Sequence, residues 1–486
     1  MTRSRAPQPS APSTGLFSAP YRAVTVSFAA VMFLTGFAAL AVMPLLPVAA
    51  KDLDGVAQYP LVAGAFVAAS LLGGVLGGGW ADRKGARQPL AAGVVLTVVT
   101  LLVSATSTTV WQLAAGRFTD GIAAGLVAVS VNAAIGRSYP EHVRARALAL
   151  MSACWIVPSL AGPPLAGLVA AWWSWRMVFF GLAALTLVPA AIAVLVPRGQ
   201  DTKDGVSPRP GGREAVRRPS SAVAVAVSGA AALVQYGVSA WDPRHLTCTA
   251  AGLAVLLGCA PRLLPPRTFR AGHGLPATVL LQSLACGAYF TLEAFVPLML
   301  TTARQVPGVV TGMAFTGAAL AWAGASWLQG RLHHRVLRHR LVAAGAGVMA
   351  AAVGLAVLST LPAVPPAAAV SSMVLAAVGM GLVAPSLTLL SLTHAPAGGQ
   401  GYASSVMQTS QNLGQTGILA LASALFSAVS AAADPRAPFL GAFALLLLPV
   451  VAVACLAGRT RKESRDRHPV PDGGQAPAPA HPVGKE

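Results

Sequence analysis

"GGGWADRKGARQPL", residues 77–90, packs Asp82, Arg83, Lys84 and Arg87 between glycines, directly behind a long apolar run and directly ahead of another. A bilayer core takes about 20 apolar residues per helix, so a charged knot between two such runs has the form of a short loop joining two membrane helices. Composition agrees. Of 486 residues 55% are hydrophobic and 10% charged, and the mean hydropathy of +0.65 lies outside the range of ordinary soluble domains. The net charge of +19 would suit a nucleic-acid binder if the basic residues shared one folded surface with aromatics among them. They lie instead in short loops between apolar segments, which implies a lipid bilayer as surroundings and no nucleic-acid partner.

Counting outward from that loop predicts fourteen spans. Six lie near 23–48, 58–80, 89–105, 110–135, 146–171 and 176–196. A polar, Pro/Gly/Arg-rich stretch at 197–221 reads as a linker. Two short, Ala-rich spans near 222–239 and 246–264, joined by "SAWDPRH", read as a hairpin; the alternative is a pair of interfacial helices and twelve spans. Six more follow near 276–300, 308–329, 340–360, 367–392, 402–430 and 437–457. The domain plan is therefore an N-terminal tail (1–21), a six-helix bundle (22–196), the linker, the hairpin (222–264), a second six-helix bundle (265–457) and a charged, Pro-rich tail (458–486) expected to be disordered. The first apolar run is longer than the core of a cleaved signal peptide and reads as a retained span.

Orientation follows from charge, because cytoplasmic loops carry the excess of Lys and Arg. With the N-terminus inside, only Lys51, Arg176, Arg244, Arg304 and Arg436 of the 34 basic residues fall on the outer side, and Arg117 falls within a span. Both termini are expected in the cytoplasm of a bacterial inner (plasma) membrane protein. The five cysteines show no metal or redox spacing. All nine histidines fall in loops or tails, and the arginines interleaved in "HHRVLRHR" (333–340) would repel a cation, so no metal or cofactor is expected. Without buried histidines, paired carboxylates or a phosphate-binding glycine loop, an intramembrane enzyme and a primary pump are both disfavoured.

The two halves echo each other. "ADRKGARQPLAAG" (81–93) has a counterpart in "HHRVLRHRLVAAG" (333–345), and "RALALMSACW" (146–155) in "GYASSVMQTS" (401–410). Parallel repeats of this kind are common in transporters. "GGWADRKGAR" resembles the loop between the second and third helices of the major facilitator superfamily, and the likeness runs from Tyr21 to Arg461. The resemblance implies an all-α integral membrane fold of two six-helix bundles, here with a central hairpin, and a conformational latch at Gly78, Asp82, Arg83, Gly85 and Arg87. Gly78 and Gly85 are expected to permit close helix contact and a tight turn. Asp82 is expected against the N-terminus of the thirteenth span near Gly401, where a helix dipole favours an anion.

"LAAGRFTDGIAAG" (113–125) resembles the superfamily's fourth-helix motif, with Asp120 where a Gln is usual. Arg117 and Asp120 share a helical face, and a charge so deep in a membrane is functional by default. "WIVPSLAGPPLAGLV" (155–169) resembles the fifth-helix motif of antiporters, with Gly162, Pro163 and Gly167 in place and Pro158 and Ala166 replacing glycines. Together with fourteen spans, and with "LEAFVPLML" and "GASWLQGRL", the likeness points to the fourteen-helix drug:proton antiporter branch and its actinobacterial exporters. It implies a monomeric, proton-coupled exporter of a small amphipathic molecule; an importer or uniporter of the same fold is the alternative.

Glu293, with no cationic residue near it in sequence, is expected to carry protons or bind a cationic substrate, unless it is simply hydrated from the outer end of its span. Gln408, Gln411, Asn412 and Gln415 recur at helical spacing and form one amide face, which must line a cavity or bond a neighbouring helix rather than face lipid. Trp155, Phe290 and Trp322 are candidate apolar walls, or packing.

Overall fold

A computed structural model describes residues 17–138, 143, 146–147, 150, 154, 156–195, 221–332, 335–394, 400–429 and 434–461. Among these residues every regular element is helical. The first helix, α1 (Ala19–Val42), enters through Pro20 and runs on through a tight turn at Met43–Leu45 into Leu46–Asp52. α2 (Tyr59–Lys84), α3 (Arg87–Ala105), α4 (Val110–Ser138), α5 (Ile156–Trp172) and α6 (Trp175–Leu195) complete an N-terminal bundle. α7 (Ser221–Gly237) and α8 (Pro243–Leu263) form the hairpin. α9 (Leu275–Thr302), α10 (Gly308–Leu332), α11 (Arg338–Leu358), α12 (Ala367–His394), α13 (Gln400–Val429) and α14 (Ala437–Leu456) form a C-terminal bundle. Eleven of the described helices are long and apolar enough to cross a membrane, and α5, α6 and α7 carry shorter apolar stretches, giving the fourteen predicted segments.

The connections alternate between two faces of the molecule, named here for Lys51 and Gly85. Prolines sit in the first turn of α2, α9 and α14, where a missing N–H costs nothing. Gly85 closes α2 at φ 83° and ψ 160°, a conformation open essentially to glycine alone, so the tight turn expected there is present. On the Lys51 face Asp52 accepts from Trp175 Nε1 (3.0 Å) and Arg176 Nη1 (2.8 Å), binding the end of α1 to the start of α6. In the C-terminal bundle Arg304 bonds the carbonyls of Ser359 and Leu361, joining two loops of the same face.

Within a bilayer helices gain little from the hydrophobic effect and associate through close packing. Small residues provide it. A Cβ on Gly73 would lie 2.1 Å from the Ile122 carbonyl oxygen, and one on Gly121 2.2 Å from that of Phe66, so α2 and α4 touch backbone to backbone. Gly78, expected to serve close contact, meets only Val129 Cγ1 at an ordinary 3.6 Å; the approach falls on Gly73 with Gly121 and Gly125, about two and a half turns before the charged loop. The C-terminal bundle is filled by a chain of rings, Phe295, Phe426, Phe439 and Phe443, of which Phe295, Phe439 and Phe443 are fully buried.

Candidate functional site

Two carboxylates lie at similar depth in different bundles. Asp120 is ten residues into α4 from the Lys51 face and Glu293 nine residues from the end of α9 at that face. At 1.5 Å per residue both sit roughly 13–15 Å down, near the middle of a core about 30 Å thick. Their surroundings differ.

Asp120 is paired. Its Oδ2 accepts from Arg117 Nη1 at 2.6 Å, Thr100 Oγ1 lies 3.4 Å from Oδ1, and the Arg117 guanidinium stands 4.6 Å over the Phe66 ring. Arg117 is 1% and Asp120 7% exposed, so the pair is enclosed by α2, α3 and α4. The sequence expectation of a shared face holds, and Asp120 keeps a cation at contact distance. Arg117 Nε, also buried, has no hydrogen-bond partner among the described residues.

Glu293 carries no ion pair among the described residues. It borders a narrow cleft with Tyr289, one helical turn before it, and with Leu292 and Met373. Tyr289 stacks edge-on against Phe290 (5.2 Å) and Trp322 (5.0 Å), so those two predicted wall residues pack on the tyrosine that borders the cleft. Trp155 lies outside the described residues.

The seal between the bundles stands over this site. Tyr59 of α2 donates to the carbonyl of Ala294, next to Glu293, at 2.8 Å, and Lys51 Nζ donates to Gln305 Oε1 at 3.1 Å. Along α5 and α10, Thr316 Oγ1 donates to Leu160 O at 2.8 Å, and a Cβ on Gly167 or Gly312 would come within 2.9 Å of Gly308 O or 2.6 Å of Pro163 O. The antiporter-type motif therefore has a defined place: Pro163 and Gly167 form the contact with α10, whereas Gly162 faces Ala41 of α1 and Pro158 is buried. The hydrogen bonds described between the bundles lie toward the Lys51 face.

The amide face of α13 divides. Gln408 is exposed and donates to Asn412 Oδ1 at 3.3 Å, Gln411 accepts from Gln282 Nε2 of α9 at 3.5 Å, and Gln415 is buried. The latch residues are only partly described. Arg83 is exposed and turns back to the Gly79 carbonyl (2.9 Å), Arg87 opens α3, and the side chains of Asp82 and residue 401 lie outside the description. Tyr59, Gln282 and Gln235 are polar contributors that periodicity did not single out.

Two helical bundles closing over a mid-membrane carboxylate, with fourteen apolar helices around them, define an α-helical membrane transporter rather than an enzyme. The family model of the Major Facilitator Superfamily matches residues 28–417, and the chain belongs to that family. A probable multidrug-efflux transporter of Mycobacterium tuberculosis is 31% identical over 329 residues, 64% of this chain and 67% of its own length. The multidrug resistance protein MdtG of Klebsiella pneumoniae is 30% identical over 162 residues, covering 32% and 39%. Among solved structures, a POT family transporter superposes with a TM-score of 0.69 at 14% identity, covering 90% of this chain and 97% of that one. A D-xylose-proton symporter superposes at 0.61 and 15%, covering 89% and 96%. The fold is thus that of multi-pass membrane transporters.

Proposed function

We propose that this transporter exports a small amphipathic organic molecule, cationic at neutral pH, in exchange for protons. The observation that carries the reading is Glu293: a carboxylate at mid-membrane depth, with no ion pair among the described residues, directly below the inter-bundle seal at Tyr59 and Ala294. An ionised carboxylate held there without a partner is expensive. Sealing the Lys51 face over it is therefore favoured when the group is neutralised, by a proton or by a bound cation. Proton and cargo compete for one carboxylate, and that competition makes an exchanger. The rings of Tyr289, Phe290 and Trp322 supply apolar and cation–π surface for a flat cation. Asp120, already satisfied by Arg117, serves structure in the N-terminal bundle.

The loop charges support a cytoplasmic Gly85 face and cytoplasmic termini, which makes the present conformer one sealed to the outside. Rocking of the two bundles about Glu293 then exposes it to each side in turn. Resemblance to efflux proteins supports the direction. The test is ethidium accumulation in cells with and without the protein, before and after the proton gradient is collapsed. Lower accumulation that vanishes on collapse supports export by exchange; higher accumulation, or indifference to the gradient, refutes it.

A further inference from the structure

We propose that the α7–α8 hairpin is a clamp on the Lys51 face, fixed to the C-terminal bundle, that seats on α2 and α4 when that face is closed and must let go each time it opens. The proposal rests on the reading that the bundles rock.

The hairpin is a unit in itself. Asp242 caps α8, its Oδ1 accepting from the His245 N–H at 2.9 Å and facing the His245 ring Nδ1 at 2.7 Å, and the His245 ring packs on Tyr236 with centroids 4.5 Å apart. A Cβ on Gly237 or Gly252 would lie 2.2 Å from Thr249 Oγ1 or 2.7 Å from Ala230 O, so α7 and α8 touch along their length. Such a pair moves as one body.

It touches both bundles, by different means. Toward α13 the contacts are directional. Gln235 Nε2 donates to the Thr416 carbonyl at 3.2 Å, Trp241 Nε1 to Ser427 Oγ at 3.1 Å, and Ser427 Oγ to the Val238 carbonyl at 2.7 Å. Val234 and Val238 pack on Ala420 in a small apolar cluster with Ala424 and Leu256. Toward the N-terminal bundle the described contacts are those of shape. The Gln235 amide fills a notch at Gly64 of α2, where a Cβ would lie 2.7 Å from Gln235 Cδ, and Tyr236 meets Trp111 of α4 at 5.7 Å.

The hydrogen bonds to α13 hold one directional register, whereas the packing on α2, though broader, is a surface that can part and re-seat. The hairpin therefore stays with α13 and parts from α2 and α4. Gln235 is fully buried in the notch, and its Oε1 has no hydrogen-bond partner among the described residues. A buried, unsatisfied carbonyl costs free energy for as long as the notch holds it. That penalty keeps the clamp from being permanent.

The test places ketone-bearing residues, coupled to nitroxides, at positions 108 and 363, exposed loop sites on the Lys51 face of opposite bundles. Distance distributions are recorded in nanodiscs between about pH 5 and pH 8, the range over which proton-coupled switches act. The parent is expected to show a short and a long distance. Gly64→Leu, which fills the notch, lowers the short-distance population relative to the long by at least about threefold. Trp111→Ala, at a half-exposed ring, shifts it the same way. Gly64→Cys/Gln235→Cys, with the five native cysteines replaced by alanine, shows only the short distance when oxidised and both distances when reduced.

The clamp is refuted if Gly64→Leu, or Trp111→Ala should the former not fold, keeps the parent distribution, or if the oxidised pair still samples both distances. A parent with one distance at every pH refutes rocking and the clamp together. A two-distance parent with unresponsive variants removes the clamp alone.

Discussion

Asp120→Asn is the sharpest perturbation of the N-terminal bundle. The substitution keeps the shape of the side chain and removes its charge, leaving Arg117 buried with no counterion among the residues described around it. At 2.6 Å and an effective dielectric of about 20, the attraction lost is about 6 kcal/mol. Part of it had offset desolvation, so the expected net loss is the about 3–5 kcal/mol typical of breaking a buried pair. Replacing both partners, as Arg117→Met/Asp120→Leu, removes the stranded charge and is expected to restore stability to within about 1 kcal/mol of the parent, since apolar replacement of a buried pair is often neutral. Denaturation in mixed micelles, followed by tryptophan fluorescence, measures all three chains. A single substitution costing less than about 1 kcal/mol, or a double one as damaged as the single, would show that Arg117 has another partner and refute the reasoning.

Three further outcomes follow from the same contacts. Tyr59→Phe loses the bond to Ala294 O, worth about 0.5–1.5 kcal/mol, and is expected to lower the sealed population about two- to twelve-fold in the distance measurement between positions 108 and 363. Gly85→Ala forces a side chain into a backbone region reserved for glycine, at a cost of about 1–3 kcal/mol, and should lower the thermal midpoint in detergent while Gly78→Ala, whose neighbour stands at 3.6 Å, leaves it unchanged. Asp242, outside the spans, is held below the usual carboxylate value by bonds from the backbone and then the ring of His245. A depressed value in the folded state means that the stabilisation is complete above the ordinary carboxylate range and fades only as pH falls below it. Amide exchange in the first turn of α8, corrected for intrinsic rates, should therefore lose protection as pH falls below the ordinary carboxylate value of about 4, and protection unchanged down to about pH 2 would contradict the cap.

The spans were legible because hydropathy adds up along the chain: each apolar run needs no knowledge of its neighbours to be recognised as a membrane helix. Arg117 and Asp120 were legible as a pair because three residues on a helix fix their spacing. What the chain alone hides is who stands opposite. Gly73 and Gly121 carry the tight α2–α4 contact, yet nothing in the sequence separates Gly73 from Gly78, which faces the same α4 only at ordinary distance. Gln235 sat in a weak, Ala-rich span, and its notch at Gly64 lies more than 170 residues away in sequence. The periodic amides of α13 announced a polar face, but only the packing of α9 assigned Gln411 to Gln282 and left Gln408 exposed.

Glu293→Gln bears most directly on the proposed exchange. In proteoliposomes bearing an imposed proton gradient, the parent should move ethidium against its concentration and lose that ability when the gradient is dissipated. The variant, permanently neutral at this position, should show no response to the gradient and bind the dye more weakly. Gradient-driven transport by Glu293→Gln at the parent rate would contradict the assignment of proton and cargo to this carboxylate.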